Sequence, residues 1–144
     1  MPARGHDHNH VRQALANDGW TITHDPLRLR WGVRDIYVDL GAERLLAAEK
    51  GTQKIAVEIK SFLGPSLVDD LEKALGQFTL YYDVLERIEP DRILYLAVSD
   101  TTYVDAFEDP LGQLLLSKRR VKLLIYNPET EAISQWTPEP PTAM

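Results

Sequence analysis

The sequence predicts an α/β (α+β) fold in which a mixed β-sheet is flanked by helices. Three observations carry this. Stretches such as Leu27-Arg28-Leu29-Arg30-Trp31 alternate apolar and polar residues at period two, the signature of a half-buried strand. Ser66 to Arg87 instead repeats apolar residues every three or four positions, as a helix against a core does. Ile93 to Val98 is apolar without a break, which suits a strand covered on both faces. In order, the elements give an α-β-β-β-α-β core followed by a C-terminal helix and hairpin.

The first helix runs from His10 to Asp18, with Val11, Ala14 and Leu15 on one side and Gly19 closing it. Trp20 to Thr23 is a short strand ended by Asp25-Pro26, and Leu27 to Trp31 is a second. Asp35 to Ala48 reads as one long strand with Gly41 inside it, a glycine that predicts a bend, a bulge or a close backbone approach. A turn at Lys50-Gly51-Thr52 leads into Lys54 to Phe62, which Gly64-Pro65 breaks. Ser66 with Asp69 three residues later predicts a capped helix start. The stripe Leu71, Leu75, Phe78, Tyr82 and Leu85 predicts the buried face of that helix, which ends near Arg87. Asp109-Pro110 predicts an N-cap followed by proline in the first turn of a helix carrying Leu111, Leu114 and Leu115. Val121 to Tyr126 and Ala132 to Trp136 flank a turn at Asn127 to Glu131.

A chain of 144 residues suits one domain, 1–144, and residues 1–9 and 138–144 read as flexible tails. The absence of cysteine excludes disulfides and thiolate metal sites and suits a reducing compartment, so a cytoplasmic location is expected. No apolar run approaches the roughly 20 residues that span a bilayer, so no membrane partner is expected. The net charge of −6 argues against a general nucleic-acid coat, but not against an acidic site whose field a bound metal reverses. Two basic clusters stand out, Arg28, Arg30 and Arg34, and Lys118, Arg119, Arg120 and Lys122. The first leads directly into the suspected site and is the candidate DNA contact. The second reads as a solvated face.

That site is built around Ile55-Ala56-Val57-Glu58-Ile59-Lys60. Side chains alternate along a strand, so Glu58 and Lys60 share a face while Ile55, Val57 and Ile59 share the other. Asp39 lies on the preceding strand. An acid on one strand and Glu-x-Lys on the next is an arrangement that can hold magnesium, or manganese, against a phosphodiester. Magnesium needs only one or two carboxylates, here Asp39 and Glu58. Lys60 would stabilise developing charge. Glu43 shares strand parity with Asp39 and lies nearer the turn, so a tight hairpin would bring Glu43 beside Glu58. Asp39 is preferred, with Glu43 as an extra ligand, and this requires the strand to bend at Gly41. Gln77 and Tyr81 share a helix face at a spacing of four and could support the ligands or the nucleic-acid backbone. Among His6, His8 and His10, only His10 is a candidate, at the start of the first helix. No P-loop, Gly-x-Gly-x-x-Gly or Gly-x-Ser-x-Gly element is present.

Several of these segments resemble the XisH family: Gly19 to Leu27, Tyr37 to Glu43, Ile55 to Phe62, Ala74 to Phe78, Arg92 to Val98 and Ile133 to Trp136. The resemblance runs from about His10 to Trp136. Its members are called fdxN element excision controlling factors and are implicated in programmed excision of a DNA element. The family in turn resembles the restriction-endonuclease-like PD-(D/E)xK superfamily. That resemblance implies a restriction-endonuclease-like sheet with Asp39, Glu58 and Lys60 as the catalytic set and Gln77 and Tyr81 as its Gln-x-x-x-Tyr element. Val38 stands where that motif has its proline. His10 is the nearest candidate for the first-helix glutamate of many relatives. The implied partners are DNA, an XisI-family companion and a site-specific recombinase, and a homo-oligomer is compatible. The leading expectation is a magnesium-dependent endodeoxyribonuclease serving element excision. Two alternatives stay open: a non-catalytic DNA- or protein-binding regulatory subunit, and a toxin-like nuclease neutralised by XisI.

Overall fold

The computed structural model describes residues 6–45, 52–138 and 140. Helix α1 (His6–Asn17) starts at His6 rather than at His10, so part of the expected N-terminal tail is helical. It stops where Gly19, at φ 94°, lets the chain turn back and Trp20 N–H donates to the Leu15 carbonyl. The chain continues through β1 (Thr21–His24), β2 (Leu27–Trp31), β3 (Arg34–Val38), β4 (Leu40–Leu45) and β5 (Thr52–Ile59). Helix α2 (Leu67–Ile88) follows, capped by Ser66, whose hydroxyl accepts from Asp69 N–H at 3.2 Å. The predicted capping box is only half made, because the Asp69 carboxylate pairs with Lys73 at 3.0 Å. Then come β6 (Arg92–Ser99), a short helical turn α3 (Asp100–Thr102) that widens into a π-helical turn at Tyr103–Phe107, and α4 (Pro110–Ser117). Strands β7 (Leu123–Asn127) and β8 (Ala132–Thr137) close the described fold.

Six strands form one mixed sheet in the order β1-β4-β5-β6-β7-β8. The pairs β5–β6 and β6–β7 are parallel and the rest antiparallel. The uninterrupted apolar run 93–98 is explained by this: β6 lies in the middle with a packed layer on each face. On one face, Leu71, Ala74, Phe78, Val84 and Leu85 of α2 pack with Ala56, Leu94, Leu96, Leu123 and Ile125. On the other, Val11, Ala14 and Leu15 of α1 pack with Ile55, Val57, Tyr95, Leu124 and Tyr126. Each fully buried Leu or Phe contributes about 1.5–3 kcal/mol, so the apolar stripe is what fixes α2 on the sheet. The stripe differs from the expected one at one position. Tyr81 points inward, 8% exposed, and Tyr82 is 43% exposed.

The long strand expected at 35–48 is two strands, and its last residues lie outside the described ones, as do Lys50 and Gly51. The chain leaves the sheet direction at Asp39. Before it, β3 pairs only with β2 in a separate two-stranded ribbon; after it, β4 pairs with β1 and β5. Gly41, the expected bend, remains inside β4. A side chain there would meet His24 Nδ1 at 3.1 Å and Arg92 Nη1 at 3.3 Å, so this glycine permits a close approach.

Candidate active site

The β4–β5 register sets Leu40 opposite Val57 and Ala42 opposite Ile55. Continued by one step, it sets Asp39 opposite Glu58. The two residues lock each other: Ile59 N–H donates to Asp39 Oδ2 at 2.8 Å, and Asp39 N–H donates to Glu58 Oε1 at 3.3 Å. Because Ile55 and Val57 belong to the α1 layer and Ala56 to the α2 layer, strand alternation puts Glu58 on the α2 side. Lys60 follows, its N–H bonded to the Ala97 carbonyl at 3.0 Å and its Nζ 3.8 Å from Glu58 Oε2. The predicted set of Asp39, Glu58 and Lys60 is thus brought together.

Burial pushes the Glu58 carboxyl up to about 7, and the neighbouring Asp39 adds to the rise. The Lys60 ammonium and the Asp39 N–H pull the other way and do not cancel it. Tyr81 stands close enough to feel both acids. Burial first, then Glu58 and Asp39, raise its hydroxyl to about 12, so it stays protonated and able to donate. One turn earlier, Gln77 Oε1 is buried and accepts no hydrogen bond among the described residues. The Gln77–Tyr81 pair therefore lies on the side of α2 that turns toward the sheet, not on an ordinary polar flank.

The donor set fits a small hard cation. Two carboxylates converge, and each keeps one oxygen, Asp39 Oδ1 and Glu58 Oε2, that takes no backbone N–H bond. The Glu58 carboxyl is raised first by burial and then by the Asp39 charge beside it, and Lys60 does not offset the two together. Among the described residues no three or more His, Asp or Glu side chains cluster, so the protein would supply few ligands. That suits magnesium, which keeps most of its waters.

Five candidates, Glu43, His10, Arg28, Arg30 and Arg34, stand apart from this group. Glu43 faces Lys54 across the strands, roughly 13 Å along β4 from Asp39 by strand rise, and its Oε2 lies 4.0 Å from Arg92 Nη2. The tight hairpin that would have favoured it is absent, since Leu45 pairs with Thr52 across a longer connection. His10 is on α1, which packs the opposite face of the sheet, and its Nδ1 is 3.0 Å from Glu131 Oε2. His8, expected in a solvated tail, is buried with Nε2 2.9 Å from Asp25 Oδ1. Arg28 and Arg30 lie on the outer face of the β2–β3 ribbon, 3.7 and 3.8 Å from Asp35 Oδ1, and Arg34 is exposed at its tip. Their ribbon joins the site through the chain, since β3 ends at Val38, one residue before Asp39.

Two positioning residues escape the sequence pattern. Arg92 has a fully buried side chain that donates to the Ile55 carbonyl at 2.9 Å and to Glu89 Oε1 at 2.9 Å, tying β5 to the start of β6. The signal available was a lone cation beginning an apolar strand. Thr102 donates its hydroxyl to the Ser61 carbonyl at 3.3 Å, just beyond Lys60, where Phe62 takes φ 55°. A Ser-x-x-Thr turn at 99–102, with Thr102 N–H bonded to Ser99 Oγ, was its only trace.

Comparison with known proteins adds the following. The family model for the XisH protein matches residues 1–134. The crystal structure of an XisH family protein from Nostoc punctiforme PCC 73102 is 42% identical, covers 92% of this chain and 98% of its own, and superposes with a TM-score of 0.82. That of an fdxN element excision controlling factor protein from Anabaena variabilis is 43% identical, with coverage of 92% and 98% and a TM-score of 0.81. No curated protein matches the chain. No helix of the described residues is long and apolar enough to cross a membrane.

Proposed function

The chain belongs to the XisH family, and from that membership and the geometry above we propose that it is a magnesium-dependent DNA endonuclease of the restriction-endonuclease-like class, acting in DNA element excision. The observation that carries this reading is the side-by-side placement of Asp39 and Glu58, locked through each other's backbone, with Lys60 on the second carboxylate. The name of the Anabaena variabilis relative supplies the excision context.

On this reading Asp39 and Glu58 hold the magnesium ion. When bound, the metal polarises a phosphoryl oxygen and acidifies a water. Lys60 brings a compact positive charge with three donors to the phosphate oxygens and stabilises the charge that builds there. Tyr81, whose hydroxyl is raised to about 12, stays protonated beside the carboxylates and can supply a donor to the bound phosphate or water. Gln77 offers a carbonyl to the same environment. Arg28, Arg30 and Arg34 are proposed to meet the backbone of the DNA, and an XisI-type companion, a recombinase and a second copy of the chain are proposed partners.

The test is incubation of the purified chain with plasmid and branched DNA in magnesium and in manganese. Nicking or cutting that disappears in Glu58→Ala and Lys60→Ala, with unchanged circular dichroism, is the expected result. DNA binding with no cleavage in any metal would overturn the hydrolytic reading in favour of a regulatory subunit.

A further inference from the structure

The second basic cluster is exposed at Lys118, Arg119 and Arg120, as a solvated face would be, and it also borders a groove. Four of the chain's 16 lysines and arginines, Lys118, Arg119, Arg120 and Lys122, fall within five positions of a chain whose net charge is −6. None of the four forms an ion pair among the described residues. The backbone that carries them is fixed by the end of α4. Arg119 N–H donates to the Leu116 carbonyl and Arg120 N–H to the Leu115 carbonyl, both at 3.0 Å, which is the Schellman closure of α4. In that closure Arg119 occupies the left-handed position, φ 55°, where glycine is the favoured residue. The turn thus keeps a guanidinium where backbone preference alone would choose no side chain.

Three of these cations, Arg119, Arg120 and Lys122, line a groove of about 300 Å³ against α2, opposite Phe78, Thr79, Tyr82 and Asp83. The exposed Tyr82 ring stacks on Phe78, centroids 6.5 Å apart and planes 11° apart, so its ring is braced from one side. A second groove of about 530 Å³ continues on the other side of Arg119 and Lys122, toward Thr137 and Pro138. Tyr81, the neighbour of Tyr82, faces the Asp39–Glu58 site, so the grooves and that site lie on different flanks of α2.

We propose that this groove binds single-stranded nucleic acid, with the phosphates along Arg119, Arg120 and Lys122 and a base against Tyr82. Unpaired cations lining a groove beside a supported aromatic ring are what a flexible polyanion with stackable bases requires. Two adjoining grooves that share Arg119 and Lys122 favour a strand over a single nucleotide. Asp83 is the one carboxylate in the lining. A duplex, whose bases are already stacked, cannot use the tyrosine. The proposal does not depend on phosphodiester hydrolysis.

The experiment is fluorescence anisotropy with a labelled 15-nucleotide single strand, full-length chain and chelator present, so that cleavage plays no part. Arg119→Glu/Arg120→Glu should weaken binding about tenfold or more, and flatten the log–log salt slope by about 1.4 for two lost phosphate contacts. Tyr82→Ala should weaken it roughly tenfold and Tyr82→Phe should retain wild-type affinity, which a folding defect would not allow. Unchanged affinity in the double variant and in Tyr82→Ala would overturn the proposal. So would a duplex or a mononucleotide that binds as tightly as the strand. Cleavage in magnesium is scored separately, so either reading can fail alone.

Discussion

The two ends of the β4–β5 ladder treat buried charge in opposite ways. Near Glu43 the fold brings in a buried arginine, Arg92, which meets Glu89 at 2.9 Å, Glu43 at 4.0 Å and the Ile55 carbonyl at 2.9 Å. Near Asp39 it sets two acids side by side and supplies only Lys60, 3.8 Å from Glu58. Charges of the first kind are matched within the fold, as buried charges in stable structures are. The second arrangement leaves Glu58 holding its proton up to about pH 7. The same ladder can evidently deliver a guanidinium to an acid where one is needed. The unmatched end is therefore the one that reads as a site, in keeping with the clustering of shifted carboxyls at functional positions.

Substitutions can break this contrast. The largest effect is expected at the unmatched end: Glu58→Ala, Asp39→Ala or Lys60→Ala should lower plasmid cleavage by about 10² to 10³, measured by gel under initial-rate conditions. Glu43→Ala should stay within about threefold of wild type in that assay, since losses on the order of 10² are expected only from groups that stabilise the reaction. Comparable losses from Glu43→Ala would mean that the metal sits elsewhere on β4. Next comes the matched end. Arg92→Leu should cost about 3 kcal/mol in urea unfolding, because it strands the Ile55 carbonyl and two acids while leaving Asp39 and Glu58 in place.

The contrast sharpens with pH. Glu58 has an ordinary value of 4.5 and rises to about 7 in the folded chain. A carboxyl that binds its proton more tightly when folded stabilises fully below about 4.5, and that contribution is lost as pH rises through 7. The metal-free chain should therefore weaken by about 3 kcal/mol as that contribution is lost, followed by chemical denaturation. Glu58→Gln should flatten that part of the profile, and magnesium should restore the wild type but not the variant. The smallest effect is expected from Tyr81→Phe, which keeps the buried ring and loses only the hydroxyl. Cleavage should fall less than about tenfold and stability by about 1 kcal/mol.

Much of this was legible because short-range patterns encode it. The run 93–98, the Ser66 cap, the Asp109-Pro110 helix start and the Asn127–Glu131 turn all depend on neighbours in sequence, and each is found where expected. The convergence of Asp39, Glu58 and Lys60 was partly legible, since alternation sets the face of Glu58 at the end of β5 and Lys60 follows just beyond it. The break at Asp39 was not. The sequence alternates smoothly on both sides of it, and only tertiary pairing reveals that β3 belongs to β2 while β4 joins the main sheet. The choice between Tyr81 and Tyr82 failed for a similar reason. Steps of three and four fit either residue, and the nearby carboxylates, which favour a hydroxyl, come from a distant part of the chain. Arg92 and the grip of Thr102 on Ser61 are likewise contacts between remote segments.

The passage of the chain from ribbon to sheet at Asp39 has a consequence for how this protein can vary. Residues can be inserted at the ribbon's exposed tip, Gly32 and Val33, at little cost, because the strand pairing on either side can be kept. Between Val38 and Leu40 the tolerance is nil. One added or deleted residue would swap inside for outside along the next strand, sending the carboxylate to the α1 layer and an aliphatic side chain into its place. Length variation should therefore be free at the tip of this arm and forbidden at its root.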